Sequence, residues 1–268
     1  MPTRRLFLVA LFALLLPSLA FAQQKLSVGF TAASPEAAEA EFKGLFAHLR
    51  GNSEVQFDIK VFPSYDALYN AFKQKQLDLA LVGAVKYAQA HYETGAVPII
   101  AEGGLVRSMI IVPKASKIAN GKELKGKRFG FGYKDSTSTH LMPLLLLSKH
   151  SIREGDLAKA EFIGVDQQKI VDSLVGGKVD AAAVVESVYK QHASKVRVLE
   201  QSDPFPGSPL VAQKGMAPAT VEAVRRAFLG YKGGGGGSRF GQGSTKVDDS
   251  SFNQIRFLVK VLYGKMYV

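Results

Sequence analysis

The chain has 268 residues, a formal net charge of +11 and no cysteine. Disulfide staples and thiolate metal sites are therefore excluded, and stability must come from cores that a chain of this length can build. The excess of basic residues admits an anionic ligand, an acidic contact surface or a solubilising coat. The lysines are scattered (Lys43, Lys60, Lys73, Lys75, Lys114), with no basic stripe interleaved with aromatics, so nucleic acid is not an expected partner.

In chain order, Arg4 and Arg5 precede an apolar run over residues 6–19, and Ala20-Phe21-Ala22 places small residues where a signal peptidase reads. The run is shorter than the roughly 20 residues a bilayer span needs, and Pro17 interrupts it. Residues 1–22 are thus expected to be a cleaved signal peptide, giving an exported protein. No cysteine follows the run, which argues against a lipoprotein anchor.

Residues 25–30 alternate as a strand and 31–35 form a turn. Ala38, Phe42, Leu45, Phe46 and Leu49 recur at helical spacing across residues 36–49. Residues 55–62 predict a second strand, Ser64 caps a helix running to residue 75, residues 77–82 predict a buried strand, and 84–92 a helix. This alternation is that of an α/β domain with a mainly parallel sheet. A second unit of the same kind follows. Its strands are expected at 105–112, 128–132, 160–165, 179–185 and 196–200, and its helices at 141–149, 167–175 and 188–193. Residues 219–231 and 252–262 predict helices in the tail, on either side of a glycine run at 233–237 that has the composition of a linker. Two α/β units joined by more than one crossing leave a cleft, and ligands of such sheets bind at strand C-terminal ends, where helix N-termini point.

The stretch Tyr133 to Pro143, YKDSTSTHLMP, sits between an expected strand and an expected helix. Free N–H groups and the dipole of a helix N-terminus attract anions, and Ser136, Thr137, Ser138 and Thr139 add hydroxyls. One of these hydroxyls suffices as a helix cap, and four exceed that task. A serine hydrolase would carry Gly-x-Ser-x-Gly, which is absent, and His140 lies too near the serines to act as a base from a separate loop. The segment Gly121 to Lys127 approaches a phosphate-binding loop, but Arg128 stands where Ser or Thr is needed and the segment precedes a strand instead of following one. His48, His91, His140, His150 and His192 form no metal-ligand spacing. Asp78 and Asp180, at strand starts, are expected to be structural. Tyr65 and Tyr87, each near a helix start after a strand, can either pack internally or reach the cleft.

Four segments in order, SYDALYNAFKQKQLDLALVGAVKYAQA, ELKGKRFGFGYKDSTSTHLMPLLLL, VGGKVDAAAV and FNQIRFLVKVLYGKMY, resemble the periplasmic phosphate/phosphite/phosphonate-binding proteins of ABC importers. The resemblance implies a type II periplasmic binding protein, two-lobed α/β, with each lobe a mainly parallel sheet flanked by helices and a ligand cleft between the lobes. Residues 23–107 with 215–268 are expected to form lobe 1, and 108–214 lobe 2. It further implies a monomer that captures a small anionic ligand and delivers it to a cognate membrane permease, without catalysis, cofactor or metal. By position, Tyr65 and Tyr87 match cleft tyrosines of the family, and Ser136, Thr137 and Ser138 match the hydroxyl cluster that holds the phosphonyl oxygens, with His140 beside them. Three positions depart from the family pattern: Thr139 replaces a glycine, Val106 a tyrosine, and Gln167 a histidine. Arg107, next to Val106, is either a charge for the ligand or a surface residue. A sensing receptor and an exported serine hydrolase are the competing readings.

Overall fold

The computed structural model describes residues 24–234, 240–264 and 267. The signal peptide expected at 1–22 and part of the glycine run, 235–237, lie outside the described residues.

The chain opens with β1 (Gln24–Thr31), α1 (Pro35–Arg50), β2 (Val55–Phe62), α2 (Tyr65–Lys73), β3 (Leu79–Leu81), α3 (Ala84–Thr94) and β4 (Val97–Glu102). It continues through β5 (Leu105–Val106), β6 (Ser108–Pro113), β7 (Arg128–Phe131), α4 (Met142–Ser148), β8 (Lys159–Phe162), α5 (Gln167–Val175), β9 (Ala181–Val185), α6 (Glu186–His192) and β10 (Val196–Gln201). It returns by β11 (Phe205–Pro206) to β12 (Pro209–Ala212), α7 (Pro218–Gly230), β13 (Ser244–Lys246) and α8 (Asn253–Tyr263).

Two sheets result. The first runs β13-β4-β12-β3-β1-β2 and the second β10-β6-β9-β7-β8. Each has a parallel group of three strands, β2-β1-β3 and β8-β7-β9, to which antiparallel strands are added. The run expected as one strand at 105–112 is broken at Arg107 into β5 and β6. Strand β5 pairs with β11 in a short antiparallel ribbon, so the outgoing and returning chains lie side by side between the sheets. Residues 209–212, expected in the second lobe, pair with β3 and β4 in the first sheet. Four apolar residues carry little local signal, and their place follows from the returning chain.

Alternation along β1 sets the packing of the first lobe. Leu26, Val28 and Phe30 join the core formed with Phe42, Leu45, Phe46 and Leu49 of α1. Phe30 lies 5.0 Å from Phe42 and 4.8 Å from Phe46 between ring centroids, so three aromatic rings form the centre of that core. On the opposite face, a Cβ on Gly29 would fall 2.3 Å from the Leu68 side chain, so glycine is what lets α2 close on the strand. A second core is continuous from α2 and α3, through Ile255, Leu258 and Val259 of α8, to Leu144, Leu146 and Leu147 of α4 and Phe129 and Phe131 of β7. In the second lobe, Ile170, Val171 and Leu174 of α5 pack on Ile111, Ala182 and Val184. Burying each such aliphatic side chain contributes about 1.5–3 kcal/mol.

Candidate ligand-binding cleft

A cleft of about 750 Å3 is lined by strand ends and helix starts of both sheets and by the ribbon. Its second-lobe wall is the turn that follows β7. Asp135 adopts a left-handed conformation (φ 65°), which turns the chain, and Ser136 is extended. The next residues, Thr137–Leu141, form a single π-helical turn, with the Leu141 N–H donating to the Ser136 carbonyl at 2.9 Å. The wide turn spreads the hydroxyl-bearing residues at the cleft before the chain enters α4. Gly132 permits this, because a Cβ there would lie 2.1 Å from Thr139 Oγ1.

Ser136, Thr137 and Ser138 all line the cleft. Ser136 Oγ accepts from the Thr139 N–H at 3.3 Å and from the Thr139 hydroxyl at 2.9 Å. Thr137 Oγ1 accepts the Val85 N–H at 3.2 Å, from the start of α3 in the other lobe. Each of these oxygens already accepts a hydrogen bond, and each retains a proton of its own to donate. A negative oxygen can use such donors and a neutral carbonyl-rich ligand gains less from them, since bonds to charged groups are the stronger class.

Gln167, the first residue of α5, also lines the cleft. Its Oε1 accepts the Val185 N–H at 2.8 Å, which leaves the amide NH2 group as the end able to donate elsewhere. Tyr65 lines the opposite wall at the first position of α2, where Ser64 caps the helix by accepting the Ala67 N–H at 3.1 Å.

Two expected ligand residues are elsewhere. Tyr87 is fully buried (0 % exposed), its hydroxyl donating to the Asp249 carboxylate and its ring lying 4.7 Å from Phe252. Arg256 covers the same ring at 5.6 Å and also binds Asp249, so the group clamps α8 to α3. Burial alone would raise the Asp249 pKa, but the hydrogen bonds from Tyr87 and Arg256 outweigh it and hold the group below the usual carboxylate range. Proximity to a helix start sets how far along the axis a side chain sits, not which way it points, and Tyr87 points to α8.

His140 is likewise buried (1 % exposed), between Phe131 and Phe162, and does not line the cleft. Its Nδ1 accepts the Asp135 N–H at 3.0 Å, which places the ring proton on Nε2, 3.1 Å from the Glu154 carboxylate. Burial depresses its pKa more than Glu154 raises it, so the ring is neutral at pH 7. Its lone pair is spent on the backbone of the turn, and it braces the hydroxyl row from behind.

Other cleft contacts had no local signal. The Tyr133 hydroxyl donates across the cleft to Asp66 at 2.5 Å, and Lys86 reaches the same carboxylate at 3.1 Å. Those bonds lower the Asp66 pKa, the Tyr133 bond most. Arg107 lines the cleft and donates to the Ser202 carbonyl at 3.3 Å. The cleft does not concentrate the chain's positive charge. Lys86, Arg107 and Lys190 share it with Glu41, Glu102, Asp135, Asp166 and Glu186, and Lys190 pairs with Glu186 at 2.7 Å. Neutral donors, not a basic pocket, are what distinguish the second-lobe wall. Among the described residues, no cluster of three or more His, Asp or Glu could hold a metal ion.

Comparison with known proteins agrees with this architecture. The model of a family described as the phosphonate periplasmic substrate-binding protein of ABC transporters matches residues 28–249. A probable ABC transporter phosphite-binding protein, PhnD1 of Prochlorococcus marinus (strain MIT 9301), is 30% identical over 155 residues, 53% of this chain. The match spans about half (52%) of that relative's length. The solved structure of PhnD1 from this organism in complex with methylphosphonate superposes with a TM-score of 0.75 at 21% identity, over 89% of this chain and 98% of that one. A binding-protein component of an ABC phosphonate transporter from Pseudomonas aeruginosa gives a TM-score of 0.70 at 18% identity, over 88% and 85%. At these identities the structural matches establish the type II binding-protein fold. The family match, covering most of the chain, establishes more: the chain belongs to the phosphonate-binding family of periplasmic ABC-transporter substrate-binding proteins, which bind and do not transform their ligands.

Proposed function

We propose that this protein captures a small oxyanion of the phosphate, phosphite or phosphonate type in the inter-lobe cleft and presents it to a cognate membrane permease. The supporting observation is the row Ser136, Thr137 and Ser138. Three adjacent hydroxyls line the cleft on one turn, and two of them already have an oxygen lone pair engaged. Gln167 adds an amide donor where the resembling proteins carry histidine. The moving bodies are the lobes built on the two sheets, hinged at the β5–β11 ribbon, and a ligand touching both walls favours the closed arrangement. Export by the leader at 1–22 puts the protein in the periplasm, and both cleft walls come from one chain, which supports action as a monomer. The names of the relatives, a phosphite-binding and a methylphosphonate-bound protein, support the ligand class. Calorimetry of the mature chain with phosphate, phosphite and methylphosphonate tests the proposal. Saturable binding of at least one is expected, and binding of none would refute it.

A further inference from the structure

Two buried side-chain hydroxyls among the described residues have no protein partner, Thr31 Oγ1 and Ser244 Oγ. Only Thr31 lines the cleft. Thr31 ends β1 and is 3 % exposed. On the same face of β1, Ser27 has its hydroxyl paired with Asp78 and Gly29 meets the aliphatic side chains of Leu68 and Leu77, so Thr31 is the hydroxyl of this face left buried without a partner. A buried hydroxyl left without a partner is destabilising, and native structures retain few of them. Strand β1 is paired in parallel with β3, which runs through Val82 into Gly83 and α3. Gly83 supplies no side-chain cap to α3. Thr31 thus stands on the first-lobe wall near the start of α3, whose own cap residue has no side chain, while the hydroxyl row stands on the second-lobe wall.

We infer that Thr31 is a ligand-binding residue, whose hydroxyl donates to an oxygen of the bound anion from the first lobe. This inference rests on the proposed function and adds to it a donor on the lobe opposite the hydroxyl row. An anion held by Ser136 to Ser138 and by Thr31 joins the two lobes, and the threonine is tolerated in an apolar position because the ligand completes it.

The test compares wild type, Thr31→Val and Thr31→Ser by calorimetry with phosphate, phosphite and methylphosphonate, and by thermal melting without ligand. Valine preserves shape and deletes the hydroxyl; serine preserves the hydroxyl. Affinity is expected to fall about tenfold or more in Thr31→Val, as for loss of a bond to a charged group, and to stay within about threefold of wild type in Thr31→Ser. The ligand-free melting temperature of Thr31→Val is expected to rise, because an unpaired polar group is removed from an apolar site. Equal affinity of wild type and Thr31→Val overturns the inference while leaving the proposed function standing. A lower ligand-free melting temperature in Thr31→Val overturns the premise that the hydroxyl is unpaired, and the inference with it. Folded wild type that binds none of the anions overturns both.

Discussion

Two of the helix entries that face the cleft are completed in different ways. The π-turn leading into α4 is capped by its own Ser136, which accepts the Thr139 N–H. The start of α3 follows Gly83, which offers no side chain, and its Val85 N–H is met by Thr137 from the opposite lobe. The first entry is preorganised within one lobe. The second is completed only when the lobes are together, so the row proposed as the ligand cradle also joins the two walls of the cleft. On the proposed function, binding and closure therefore share residues.

The largest effect is expected where the self-capped entry is broken. Ser136→Ala removes a donor and the cap together. Affinity for the best-bound anion should fall about 10- to 100-fold, matching about 1.5–3 kcal/mol for a bond to a charged group, and the melting curve should shift by about 1 kcal/mol of stability from the lost cap. Unchanged affinity by calorimetry would remove the cradle from this turn. Thr137→Val sharpens the contrast. It deletes a donor and uncaps α3 but leaves the cap of its own turn intact, so affinity should drop by about tenfold while the melting temperature changes less than in Ser136→Ala. Small-angle scattering of the ligand-free Thr137→Val protein should show a larger radius of gyration, and a wild-type value would show that the cross-lobe bond does not favour closure.

Smaller effects are expected away from the cleft. Tyr87→Phe should cost about 1 kcal/mol in chemical denaturation, since Asp249 keeps Arg256 as a partner, and should leave anion affinity unchanged. A selective loss of affinity would return Tyr87 to the site. The pH dependence of His140 is smaller still. Its folded pKa lies below the ordinary value of about 6.5, so the unfolded chain takes up a proton first as pH falls. Its contribution to stability is complete above about pH 6.5 and is lost progressively as pH falls towards the depressed folded pKa. Melting temperatures between neutral and mildly acidic pH should decline more steeply for wild type than for His140→Gln, and identical slopes would contradict this.

Much of the fold was legible because its signals are local. The apolar stripe of α1 appeared at the five residues that are buried, and the hydroxyl row was placed between a strand and a helix, where it stands. Strand β4 and the short strands β12 and β13 were not legible, since their pairing depends on a chain that leaves for the second sheet and returns. Tyr65 and Tyr87 show the same limit within the site. Both follow a strand near a helix start, yet one lines the cleft and the other turns into the contact with α8. His140 was correctly placed beside the hydroxyls along the chain, but the turn directs its lone pair to the Asp135 N–H instead of the cleft.

The sequence by itself determined the alternation of strands and helices, the absence of cysteine chemistry and the position of the hydroxyl row, because periodicity, composition and helix entry act over a few neighbouring residues. Tertiary structure alone decided that Thr31 and Tyr133 belong to the cleft, that Tyr87 does not, and that Thr137 caps a helix of the other lobe. Those assignments depend on how two sheets face each other across a double crossing, and the contacts join residues as much as 162 positions apart, beyond the reach of any local pattern.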